Sequence, residues 1–137
     1  MKNRPEEEKN RVKSAINIAN QACRLAKESA PDDGEVLVNS AYALFAAEKK
    51  KEAVKLIQEA SEIGYPPAMV MMARYLGQGK YMEKDSEGAW LLLIKTLKTK
   101  HDVARIQAAL EFLPGGVGPE NTKRAKSTLT CLITVSY

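Results

Sequence analysis

One stretch of this chain occurs twice at a fixed interval, and that recurrence limits the folds open to it. From Leu76 to Ala89 the sequence reads L-G-Q-G-K-Y-M-E-K-D-S-E-G-A, and from Phe112 to Ala125 it reads F-L-P-G-G-V-G-P-E-N-T-K-R-A. Leu76 and Phe112, Gly79 and Gly115, Asp85 and Asn121, Ala89 and Ala125, and upstream Ala73 and Ala109, all stand 36 residues apart. Apolar, glycine, capping and small residues that return together at such a period mark supersecondary units. Units of this kind cannot bury an apolar face alone, so they stack on their neighbours.

Local patterning supplies the units. Residues 1–10 are polar and read as a tail or a first helical turn, with Glu6, Glu7 and Glu8 near the positive end of a helix dipole. A helix is expected from Arg11 to Ser29, where Val12, Ala15, Ile16, Ala19, Ala22, Cys23 and Ala26 recur at three- and four-residue steps. Pro31 ends it and Asp32-Asp33-Gly34 turns the chain. Further helices are expected over 35–48, 51–63 and 67–76, with Gly64 closing the second of these and Pro66-Pro67 preventing its continuation. After the connection 77–84, Asp85 is the expected N-cap of a helix over 86–99. His101-Asp102 opens another, to Leu113, which P-G-G-V-G-P breaks. A last one starts near Pro119 and carries Ala125, Leu129, Leu132 and Ile133. The expectation is about seven helices, in a single domain over 11–137 after the polar tail 1–10.

A second interval lies upstream: Ala19, Cys23, Ala26 and Pro31 map onto Ala53, Ile57, Ala60 and Tyr65 at a step of 34. Alanines at 41, 53, 73, 89, 109 and 125 let helix backbones approach, while larger apolar side chains fill the gaps beside them.

Composition bears mainly on what the chain is not. Its 45% hydrophobic and 28% charged residues are ordinary for a globular protein, which argues against wholesale disorder. No apolar run approaches the roughly 20 residues of a spanning helix, Ala89 to Ile94 being the nearest. The N-terminus lacks the apolar core of a secretory signal, so a cytoplasmic location is expected. Cys23 and Cys131 sit far apart in apolar helical patterns and read as reduced core thiols. The net charge of +4 is spread along the chain: 11 basic and 10 acidic residues in 1–60, 6 and 4 in 61–100, 4 and 3 in 101–137. No segment concentrates it enough to demand a nucleic acid.

The order Ala73-Leu76-Gly79-Asp85-Ala89, repeated as Ala109-Phe112-Gly115-Asn121-Ala125, resembles the Sel-one-like repeat. That family is a variant of the tetratricopeptide repeat with a longer hairpin loop. The unit Ala41-Leu44-Ala53-Ile57-Ala60 lacks the insertion and resembles an ordinary tetratricopeptide repeat, whose period is 34. Leu76 in place of tyrosine, Gly118 in place of valine and Thr96 in place of alanine depart from the Sel-one-like pattern. The resemblance covers residues 11–137 and implies an all-α, right-handed superhelical solenoid. It also implies that the first helix of each pair lines a concave groove.

Projected on that expectation, the groove offers Val38, Asn39, Tyr42 and Phe45, then Val70, Met71 and Arg74, then Val103, Ile106 and Gln107. Tyr, Phe, Met and Arg on an apolar ground have the composition of a protein-binding surface. Asn39 is similar to an asparagine that clamps peptide carboxylates in some tetratricopeptide domains, but the basic companions are missing apart from Arg74. The C-terminal stretch L-T-C-L-I-T-V-S-Y is apolar on more than one side, and its exposure would imply self-association or docking.

Catalysis finds no constellation. His101 beside Asp102 at a helix start reads as a cap rather than a metal ligand, because zinc needs three or four ligands. The glycine runs follow helices and lack the Lys-Ser/Thr of a phosphate loop. Lys49-Lys50-Lys51 reads as a solvated turn. The sequence therefore points to a non-enzymatic module without cofactor or metal that binds a protein or peptide: an adaptor, a chaperone, or an immunity protein that neutralises a toxin. The alternative is a nucleic-acid-associated repeat using the mild positive charge. Replacing Ala89 by Trp is expected to overpack one helix crossing at a cost of about 1–3 kcal/mol. Thermal unfolding checks this, and an unchanged midpoint would refute the crossing.

Overall fold

The computed structural model of the protein describes residues 4–113 and 115–117. Among them lie six α-helices and no strand, so the all-helical expectation holds. Gly118, Asn121, Ala125, Cys131 and the helix expected from Pro119 lie outside the described residues. The chain divides into two compact units, residues 1–63 and 64–137.

The first unit holds α1 (Arg4–Ser29), α2 (Gly34–Ala46) and α3 (Lys50–Glu62). Helix α1 begins at Arg4, well before the expected Arg11, because Pro5 suits a first turn and Glu6 and Glu7 favour the positive end of the dipole. Its apolar stripe is less buried than expected. Ile16, Cys23 and Ala26 are half-buried, while Val12, Ala15, Ala19 and Ala22 are exposed. Among the described helices only α2 packs against this long helix to any extent, so one narrow strip is covered. Cys23 is a free, half-buried thiol rather than a core one. The Ser40 hydroxyl, buried in α2, reaches toward the Cys23 carbonyl at 3.5 Å.

Asp33 caps α2, its carboxylate accepting from the amides of Glu35 and Val36 at 3.0 and 3.2 Å. Helices α2 and α3 form a hairpin, with Leu37, Ala41, Ala53 and Ile57 almost wholly removed from solvent. Burying a side chain such as Leu37 or Ile57 stabilises by about 1.5–3 kcal/mol. The turn between them is a Schellman motif: the Glu48 amide donates to Phe45 and the Lys49 amide to Leu44. Glu48 occupies its left-handed position at φ 61°, where glycine is the usual residue. Lys50 and Lys51 begin α3 rather than extending the turn, and all three lysines are exposed.

The second unit holds α4 (Pro66–Gln78), α5 (Ser86–Leu97) and α6 (Asp102–Leu110). Helix α4 runs past the expected Leu76 and through Gly77, stopping at Gly79. Gly79 has φ 67° and Gly115, its counterpart one period on, has φ 91°. The recurring glycine thus sits where an L side chain would strain the backbone. The Asp85 carboxylate accepts from the Gly88 amide at 2.9 Å and caps α5 as expected, while its own amide donates to Leu76 and ties the loop to the end of α4.

The core of this unit joins Val70 and Ala73 of α4, Ala89, Leu93 and Leu97 of α5, Ala104 and Ala108 of α6, and Phe112. Thr96 is also buried, its hydroxyl donating to the Leu92 carbonyl at 2.7 Å, which satisfies the polar atom inside the helix. In α6 the residue at the crossing is Ala108; Ala109, expected there from the period, is half-buried. Gly77 serves a close approach, since a Cβ there would lie 2.5 Å from the Cβ of Val117.

Two substitutions separate backbone strain from packing. Glu48→Gly is expected to raise stability by about 1 kcal/mol by relieving the left-handed strain. Gly77→Ala improves helix propensity by about 1 kcal/mol, yet is expected to destabilise by about 1–3 kcal/mol because Val117 blocks the methyl. Denaturant unfolding of both variants checks the opposite signs.

Candidate functional site

On α2, the burial of Val38 corrects the outward projection of that residue. Leu37, Val38, Ser40 and Ala41 are all buried, so the packing face is wider than the alanine spacing suggested. Asn39 and Tyr42 do face solvent, on one strip with Glu35 and Ala46, while Phe45 is half-buried.

In the second unit Val70 is also inside, fully buried among Ala73, Ala89 and Leu93. The reason is that α4 presents this residue to the hairpin partner α5. Met71 and Arg74 are half-buried. Arg74 is engaged within the fold: its Nε donates to Glu111 Oε1 at 2.6 Å, and Glu111 Oε2 accepts from the Val117 amide at 3.0 Å. The guanidinium and the carboxylate thereby hold the turn after α6 against α4. This use of Arg74 was not visible in the sequence, where the two residues stand 37 apart.

Helix α6 carries the clearest surface. Val103 and Ile106 are more than half exposed, as are Leu110 and Leu113. Val103, Ile106 and Leu110, at steps of three and four residues, draw one apolar stripe away from Ala104 and Ala108, which bury the other side, and Leu113 follows in the turn beyond the helix. Gln107 is half-buried beside it. Sequence reasoning picked Val103 and Ile106 and passed over Leu110 and Leu113. The spacing was legible, but a stripe of this kind is normally core, and only tertiary packing shows which face is covered.

The polar candidates have structural occupations. The Nδ1 atom of His101 accepts from the Ala104 amide at 3.1 Å and caps α6, and the ring stands edge-on to Tyr65 at 6.3 Å. No group of three metal-ligating side chains gathers among the described residues. None of the described helices is long and apolar enough to cross a membrane.

A cleft of about 630 Å³ in the first unit escaped sequence reasoning altogether. It lies between α1 and α3 and is floored by Ser40 and Leu44 of α2 and by Ala47 at its C-cap. Its lining comes from three helices, so no local pattern announces it. Comparison with models of protein families, with curated proteins and with solved structures finds no match.

Proposed function

We propose that this chain is a non-enzymatic binding module of the tetratricopeptide or Sel-one-like kind, a solenoid that holds another protein or a peptide segment of one. An adaptor, a chaperone and a toxin-neutralising immunity protein all fit this description. The observation that carries the reading is the α6 stripe of Val103, Ile106, Leu110 and Leu113, each more than half exposed. A contiguous apolar surface on a helix otherwise bearing alanine in the core marks a place for a partner's apolar side chains. In the first unit Tyr42, exposed beside Asn39, adds an aromatic of the type that anchors interfaces.

The recurrent positive-φ glycines and the capped second hairpin helix support the repeat reading, because they give the 36-residue interval a conformational cause. In the second unit His101 caps α6 and Arg74 pairs with Glu111, so both serve the fold.

Affinity capture from the native host with the intact chain and with Ile106→Glu/Leu110→Glu and Tyr42→Ala tests this. The stripe variant is expected to lose its partner, with affinity falling at least about 100-fold for two buried anchors of about 1.5–3 kcal/mol each. Unchanged affinity in both variants would overturn the reading. Steep weakening with salt would instead favour the nucleic-acid alternative, because counterion release sets that slope.

A further inference from the structure

The cleft between α1 and α3 lies wholly within the first unit and takes no part in the α6 stripe. Helices α1 and α3 each pack on α2 and scarcely touch each other, which leaves a trough over the α2 residues between them. We propose that this trough binds an extended acidic peptide segment with interspersed apolar side chains. Its volume of about 630 Å³ falls in the range of small-ligand sites, enough for a few residues of an extended chain and too little for a folded domain.

The lining supplies three kinds of contact. Asn17, Asn20 and Gln21 on α1 carry amides that both donate and accept, which matches the alternating N–H and C=O of a peptide backbone. Leu44 of α2 and Leu56 of α3 provide apolar contact between the walls. Arg24 and Lys27 line the α1 side, and Lys49, Glu52, Lys55 and Glu59 line the α3 side. Among the described residues four cations against two anions leave a cationic excess. None of the four is in an ion pair among the described residues, in contrast to Arg74.

The first turn of α3 borders the same trough. Lys49 occupies the N-cap position without a side-chain hydrogen bond, so the positive end of this helix is uncapped by any acceptor of its own. Glu52 in that turn offsets part of the field. A carboxylate of the bound segment completes it.

The lining disfavours a nucleic acid. Among the described residues no aromatic side chain borders the trough, so bases have none of them to stack on. Glu52 and Glu59 repel any anion, but a peptide, unlike a phosphate chain, carries backbone N–H groups that these carboxylates can accept. The trough also uses a different side of α2 from Asn39 and Tyr42: Ser40, Leu44 and Ala47 line it.

A fluorescein-labelled hexapeptide of alternating aspartate and leucine, titrated with the full chain and followed by anisotropy, is the direct test. Comparators are the lysine–leucine hexapeptide and a labelled thymidine dodecamer. The acidic peptide is expected to bind, to weaken as salt rises, and to lose about tenfold in affinity in Arg24→Glu/Lys55→Glu. Cys23 also borders the trough, so in a Cys131→Ser background the bound peptide is expected to slow its alkylation by iodoacetamide several-fold. Equal affinity in the double variant, tighter binding of either comparator, or no protection of Cys23 would each overturn the proposal. Should circular dichroism show that the double variant has lost its helices, protection of Cys23 in the otherwise unaltered chain decides. Ile106→Glu/Leu110→Glu is expected to retain the acidic peptide, so failure at one surface does not speak for the other.

Discussion

Helix backbones approach closely in this protein because the side chains between them stop at Cβ. Ala41 and Ala53 in the first unit, and Ala73, Ala89, Ala104 and Ala108 in the second, have no exposed surface. Around each crossing the remaining volume is filled by longer side chains, Leu37 and Ile57 in one unit and Val70, Leu93 and Phe112 in the other. Dense interiors respond to a single added methylene, so alanine at these places is a steric requirement rather than a helix-propensity choice. The rest of the architecture, from loop length to the surfaces left outside, follows from how these crossings are spaced.

The connections then determine how each hairpin closes. Gly79 and Gly115 take left-handed conformations one period apart, and Asp85 both caps α5 and bonds the carbonyl at the end of α4. The α2–α3 turn reaches a similar geometry with Glu48 in the strained position. A two-hydrogen-bond Schellman turn and the buried hairpin beneath it hold that residue in place. Further along, Glu111 joins α4 to the turn after α6 through Arg74 and the Val117 amide. This ion pair is half-exposed on the arginine side, so its role is orientation more than stability.

The candidate surfaces were only partly legible. Asn39, Tyr42, Val103 and Ile106 face solvent as projected, whereas Val38 and Val70 are buried. A projection from a single helix cannot tell how wide a sector its neighbours cover; α2 is covered over Leu37, Val38, Ser40 and Ala41 together. Arg74, projected onto the groove, is half-buried and paired with Glu111. Leu110 and Leu113 were overlooked because an apolar stripe reads as core until the exposure of its residues is known. The α1–α3 trough is assembled from residues between Asn17 and Glu59 on three helices, and no spacing rule links them.

The sequence by itself determined the helical class, the places of the described helices to within a few residues at most boundaries, and the caps at Asp85 and His101. These depend on local physics: periodicity, glycine and proline geometry, and hydrogen bonds within one or two turns. Tertiary structure decided which face of α1 is covered, that α4 continues through Gly77 beside Val117, and which of the projected side chains reach solvent. Burial is a property of neighbours brought together from distant parts of the chain, and a local pattern records the shape of a face without recording what is placed against it.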